Sequence, residues 1–137
     1  MEERTFLLIK PDAVGRNLIG EILKRVEDAG FRIIDLKMGD LPRTQTERFY
    51  QVHRGKHFFE KLIEYMSSGK VVAVLLERED AVKKLRQLVG ATDPKDAEKG
   101  TIRHDLALDG RRNSVHASDS SQNVEFESKF FFEPTPY

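Results

Sequence analysis

The sequence predicts an α+β fold, one four-stranded antiparallel sheet with helices packed on it. Two observations predict it. Short apolar runs alternate with stretches of helical period, in the order strand, helix, strand, helix, strand, helix, strand. That is the order of a ferredoxin-like βαββαβ sandwich with added helices and a long loop. No repeat, low-complexity tract or linker interrupts the 137 residues, so 1–137 reads as a single domain.

Each element has its own signal. Residues 4–10 hold an apolar run too short for a helix, read as a buried strand that Pro11-Asp12 stops. Ile19, Ile22, Leu23 and Val26 recur at helical spacing within 18–29, and Gly30 is a good C-cap. Residues 31–38 alternate loosely and predict the second strand. Residues 44–52 and 57–67 predict two short helices. The second carries Phe58, Leu62, Tyr65 and Met66 on one face, and Ser67-Ser68-Gly69 ends it. The unbroken run Val71 to Leu76 predicts a strand covered on both faces. An amphipathic helix follows at 80–89. Residues 90–112 are rich in Gly, Asp and charge and read mostly as loop; loops of that length are often functional. A short strand is predicted at 113–117 and a helix at 120–129. Phe130 to Phe132 should pack down before a Pro-rich tail.

Composition narrows the function. Basic and acidic residues balance at 23 each. Such balance argues against general affinity for nucleic acid or anionic lipid, but leaves room for a local basic cluster around a small anion. Cysteine is absent, which rules out disulfides, thiolate catalysis and cysteine-ligated metals. No apolar run approaches the ~20 residues of a membrane span, and the start, Met-Glu-Glu-Arg-Thr, lacks signal-peptide architecture. A cytoplasmic protein is expected.

Three motifs carry chemistry-capable residues. Gly15 and Gly20 have the spacing of a phosphate-cradling P-loop, but Glu21-Ile22 stands where that motif needs Lys and Ser or Thr. These glycines are read as serving a turn and close packing. His53 and His57 have a metal-compatible spacing, yet Gly55 spoils the helix between them and no third ligand is evident, so a structural or phosphate-contacting role is preferred. The densest cluster is Asn113-Ser114-Val115-His116-Ala117-Ser118-Asp119. A Ser–His–Asp triad is one reading, weakened by the absence of a nucleophile elbow. A helix N-terminus capped by Ser118 or Asp119 is a second. In a third, His116 is itself the nucleophile, with Glu127 brought back to fix its tautomer. A histidine nucleophile suits phosphoryl transfer, which then needs cations and donors around the phosphates. Lys10, Arg86 and Arg103, with hydroxyls at Tyr50 and Thr92, are available.

Three segments carry a resemblance. Thr-Phe-Leu-Leu-Ile-Lys10-Pro11-Asp12, Thr-Ile-Arg103 and Asn113-x-x-His116-Ala117-Ser118-Asp119 resemble the nucleoside diphosphate kinase family, in register over roughly residues 3–132. The resemblance implies a ferredoxin-like core and transfer of the γ-phosphate of a nucleoside triphosphate to a nucleoside diphosphate. It implies a ping-pong mechanism through a phosphohistidine and broad base specificity. His116 matches the nucleophile, attacking through Nδ1; Glu127 matches its orienting carboxylate and Ser118 the supporting hydroxyl. Lys10 and Asn113 match groups for the sugar hydroxyls and nearby phosphate, and Tyr50 a tyrosine close to the histidine. Arg86, Thr92 and Arg103 match the phosphate clamp, His53 a further contact, and Phe58 the ring on which the base stacks. Mg²⁺ would ride on the nucleotide phosphates, with no protein metal site. A homo-oligomer, tetramer or hexamer, is implied, with Pro94 in the loop that often meets a neighbouring subunit. The ending Glu-Pro-Thr-Pro-Tyr137 lacks the long extension of some members.

The chain departs from the family's usual pattern in places. Lys56-His57 replaces Arg-Pro before Phe58, Gly110 replaces an aliphatic residue that packs on the base, and His104 replaces a frequent Gly. Two rivals remain: a non-enzymatic nucleic-acid-binding module on the same core, and a member that kept only a scaffold role. The sheet lacks the aromatic string of an RNA-recognition domain, and the polar set is complete.

Overall fold

The computed structural model describes residues 2–132. Strands β1 (Glu2–Ile9), β2 (Arg32–Asp40), β3 (Lys70–Glu79) and β4 (Val115–Ala117) form one sheet in the order β2-β3-β1-β4. Every neighbouring pair is antiparallel. The helices are α1 (Pro11–Gly15), α2 (Ile19–Asp28), α3 (Arg43–Phe49), α4 (Phe59–Met66), α5 (Ala81–Val89), α6 (Ile102–Leu106) and α7 (Ser121–Ser128). The predicted βαββαβ core is β1-α2-β2-β3-α5-β4, and the remaining helices are the additions.

Strand periodicity divides the core. Phe6 and Leu8 of β1 and Val71, Ala73 and Leu75 of β3 face one side, against α3, α4, Val124 of α7 and the buried Phe131 and Phe132. Leu7, Ile9, Val72, Val74 and Leu76 face the other, against Ile22 and Val26 of α2 and Leu85 and Val89 of α5. The two central strands are therefore buried on both faces, which is why their sequences read as unbroken apolar runs. Each such side chain contributes about 1.5–3 kcal/mol when fully buried.

The structure departs from the sequence reading in four places. Pro11 does end β1, but it also opens α1, where its missing N–H costs nothing. The stretch 90–112 is not all loop: α6 starts there, with the Thr101 hydroxyl accepting from the His104 N–H at 3.2 Å. The helix expected to 52 stops at Phe49, and a 3₁₀ turn, Gln51–His53, follows. Close packing does not explain Gly15 or Gly20, since a Cβ at either would meet nothing within 4 Å. Asn17, at φ 61°, makes the left-handed step between α1 and α2 instead. The Pro-rich tail lies outside the described residues.

Candidate active site

The site begins where β1 ends. Lys10 Nζ donates to Asn113 Oδ1 at 2.8 Å and to the Arg111 carbonyl at 2.9 Å, and the Lys10 N–H donates to the Ser114 carbonyl. Asn113 Nδ2 donates to the carbonyls of Thr92 (3.0 Å) and Gly110 (3.1 Å). One ammonium and one amide thus tie β1 to two distant loops. Burial, followed by the nearby Arg103 charge, pulls Lys10 down to about 8.

Between Asn113 and β4 the chain makes a tight three-residue turn. Ser114 sits at φ 73°, and the Val115 N–H donates to the Asn113 carbonyl at 2.9 Å. Such a γ-type turn is rare and strained for a residue other than glycine. It sets the register of β4: Val115 and Ala117 go into the core shared with α2 and α5, and His116 goes to the opposite face.

There the His116 ring meets Phe49 and Tyr50 edge-on, with centroids 5.4 and 6.1 Å away. Its Nε2 lies 2.9 Å from Glu127 Oε2, near the end of α7. The pair is close, although hydrogen-bond geometry is not met at Nε2. The other Glu127 oxygen, Oε1, accepts from Ser118 Oγ at 2.5 Å. Glu127 and Ser118 are both buried. Both oxygens of the carboxylate therefore have a neighbour, and His116 Nδ1 makes no hydrogen bond with a described residue. The cap reading of this segment is corrected: Ser120, not Ser118 or Asp119, caps α7, accepting from the Asn123 N–H. Asp119 accepts from Asn123 Nδ2, which holds its carboxyl below the usual range.

Arg103, in the first turn of α6, is buried. Its Nη1 donates to the Gly90 carbonyl at 3.0 Å and its Nη2 to the Val115 carbonyl at 2.9 Å. Burial, then the Arg86 charge, lowers it to about 10, so it stays protonated at neutral pH. Only glycine fits at position 90: φ is 90°, and a Cβ would lie 2.6 Å from Thr101 Oγ1. Arg86 of α5 donates weakly to the Ala117 carbonyl at 3.3 Å.

These groups line one cleft of about 880 Å³. Of the predicted site residues, Lys10, Tyr50, His53, Phe58, Arg86, Thr92, Arg103, Asn113, His116 and Glu127 reach it, and Ser118 stands behind Glu127. His57 does not line it, and among the described residues no group of three His, Cys, Asp or Glu could hold a metal. Tyr50 Oη and His53 Nδ1 are buried without a hydrogen-bond partner among the described residues. Burial pushes the Tyr50 hydroxyl up, and Glu127 adds to that; burial pulls His53 down, with help from Lys56 and His116. Orphaned buried polar atoms of this kind call for a partner that enters the cleft. Phe58 is half-buried, with the Lys56 ammonium 5.8 Å from its ring centroid.

Asp119 lines the cleft as well. Arg111, Gln122 and Asn123 were missed as lining residues. No local signal marks Gln122 or Asn123, which are exposed polar helix positions by sequence. Arg111 had one weak signal, its nearness to Asn113.

A carboxylate-held histidine facing two arginines and a buried lysine in one open cleft defines a class: an enzyme that handles phosphate groups. The chain belongs to the nucleoside diphosphate kinase family, whose sequence profile matches residues 3–137. It is 55% identical to the nucleoside diphosphate kinase of Pasteurella multocida over 130 residues, 95% of this chain and 94% of that one. It is 48% identical to that of Methanocaldococcus jannaschii over 132 residues, 96% and 94% of the two chains. The Aquifex aeolicus nucleoside diphosphate kinase structure superposes with a TM-score of 0.93 at 42% identity, covering 98% of this chain and 97% of that one. A halophilic nucleoside diphosphate kinase from Halobacterium salinarum, solved in complex with CDP, gives 0.93 at 39% identity, covering 97% and 89%. The protein is thus a kinase that transfers phosphate between nucleotides. No helix among the described residues is long and apolar enough to cross a membrane.

Proposed function

We propose that this single domain moves the γ-phosphate of a nucleoside triphosphate to a nucleoside diphosphate in two half-reactions, through a phosphohistidine at His116. The observation that carries the reading is the placement of Glu127 against His116 Nε2, with Ser118 on its other oxygen. A carboxylate there favours the tautomer with the proton on Nε2 and leaves the Nδ1 lone pair free.

In the first half-reaction the Nδ1 lone pair attacks the γ-phosphorus. The N–P bond forms, the bond to the β–γ bridging oxygen breaks, and the nucleoside diphosphate leaves with that electron pair. Glu127 steadies the positive charge that develops on the ring. In the second, a terminal oxygen of another diphosphate attacks the same phosphorus, and the N–P bond breaks to restore neutral imidazole. Arg86, Arg103 and Thr92 bind the phosphate oxygens; a planar guanidinium matches them in two-pronged fashion. Lys10 and Asn113 take the sugar hydroxyls and adjacent phosphate, His53 and Tyr50 border the reacting group, and the base stacks on Phe58. Stacking uses a π-face common to all bases, so specificity is broad. Mg²⁺ would come with the nucleotide, carried on its phosphates, and would offset their negative charge. The reading carries with it a homo-oligomer, tetramer or hexamer, which solution mass would decide, and a place in the cytoplasm.

Incubation with γ-labelled ATP tests the reading. An acid-labile, alkali-stable label should form on the protein and discharge when a nucleoside diphosphate is added. No label, or a label that added diphosphate does not discharge, contradicts it.

A further inference from the structure

The mechanism above employs Lys10, Arg86 and Arg103 and leaves a fourth cation in the cleft without a task. Arg111 lines the cleft and is exposed. Its backbone is pinned at both ends. The carbonyl accepts from Lys10 Nζ at 2.9 Å, and the N–H donates to Asp109 Oδ1 at 2.9 Å. The same carboxylate takes up the neighbouring arginine entirely: Arg112 gives its N–H to Oδ1, and its Nε and Nη2 to Oδ2 at 2.9 and 2.7 Å. The Arg111 side chain, by contrast, makes no hydrogen bond or ion pair with any described residue. Asp109 thus neutralises one arginine and presents the other uncompensated at the cleft.

Gly110 has no side chain, and a Cβ there would meet only Asp93 Oδ2, at 3.9 Å. Apart from its two chain neighbours, position 110 is thus open, and it lines the same cleft as Arg111. The Arg111 carbonyl is also bonded to Lys10, and Arg111 lies two residues before Asn113, the pair proposed above for the sugar hydroxyls and adjacent phosphate. It therefore belongs to the nucleoside part of the cleft, whereas Arg86 and Arg103 bond to the carbonyls flanking His116. A planar cation packs well on the face of an aromatic ring, and a base presents such a face.

We propose that Arg111 is a nucleoside-binding residue of this chain, its guanidinium packing on the base in the space that Gly110 leaves open. The proposal rests on the nucleotide reading of the cleft and deepens it. The contact is a face contact, so it adds affinity for every base.

Calorimetric titration of ADP and of inorganic pyrophosphate into the wild type, Arg111→Ala and Arg111→Lys tests it. Arg111→Ala should weaken ADP binding about three- to tenfold and leave pyrophosphate within about twofold of wild type. Arg111→Lys keeps the charge without the plane and should stay weakened for ADP. Equal weakening of both ligands would make Arg111 a phosphate contact and overturn the proposal. Unchanged ADP affinity in Arg111→Ala, or full recovery in Arg111→Lys, would overturn it as well. If the wild type bound no ADP at all, the nucleotide reading itself would fail, a result distinct from these. The side chain is exposed and makes no hydrogen bond or ion pair with a described residue, so folding should not confound the comparison.

Discussion

On the inner wall of the cleft, Lys10, Arg103, Asn113 and Glu127 are each less than a tenth exposed, and each is held by at least two polar contacts. At the rim, Val52 is 76% exposed, Gly55 takes φ 90°, and Arg111 makes no side-chain bond with a described residue. The wall is carried by strand ends and helices; the rim by a 3₁₀ turn and two loops. The difference teaches where this chain invests order. Stabilising charge on a transferring phosphate requires donors fixed before the reaction. Holding a base requires only a surface, which loops supply. Gly110 lines that rim, and Lys56 and His57 stand in the turn that leads to Phe58.

That contrast can be broken by substitution, and the largest effect should lie deepest. His116→Ala should lower turnover by at least ~10⁴-fold and abolish labelling. Retained turnover would show that the wall holds a different nucleophile. Arg103→Lys keeps charge but loses the fork that also bonds Gly90 and Val115; kcat should fall about 10²–10³-fold. A near-normal kcat would mean that the fixed geometry of the wall is dispensable.

Lys10 gives a pH test. Its folded value, about 8, lies below the ordinary 10.5, so the free protein sheds this proton as pH rises through 8. Nucleotide phosphate favours the charged form. Affinity for ADP should therefore decline above pH 8, and binding just above that pH should take up a proton, read by calorimetry in two buffers of different ionisation enthalpy. The stability sign is the reverse. Between about 8 and 10.5 the unfolded chain binds more protons than the folded one, so folding stability gains as pH rises through that window, by on the order of 3 kcal/mol. Lys10→Met should flatten both profiles.

At the rim, Phe58→Ala should cost less than either wall substitution. ADP and CDP should each weaken about tenfold, by similar factors, since stacking ignores base identity. A loss confined to one base would show that the rim reads edges rather than faces.

Much of the fold was legible because β1 and β3 are covered on both faces, so their apolar runs stand out from the alternating charge around them. The five-residue helices α1 and α6 were not legible. Each is barely more than one turn, too short for a 3.6-residue period to repeat. The site was legible where its members are neighbours in sequence, as in the segment from Asn113 to Asp119. The link from His116 to Glu127 could be anticipated from the turn between β4 and α7. Joining Lys10 to Asn113 across 103 positions is a product of the sheet order, which sets β4 beside β1. The opposed fates of Arg111 and Arg112 depend on which of them Asp109 reaches, and adjacent arginines look alike in a sequence.

If Glu127 holds His116 Nε2, Nδ1 should carry the phosphate. Phosphorus NMR of the protein trapped after reaction with ATP, with alkaline hydrolysis to identify the isomer, reads this out. Phosphate should appear on Nδ1 of His116 alone. Phosphate on Nε2, or on any residue other than His116, would contradict that arrangement.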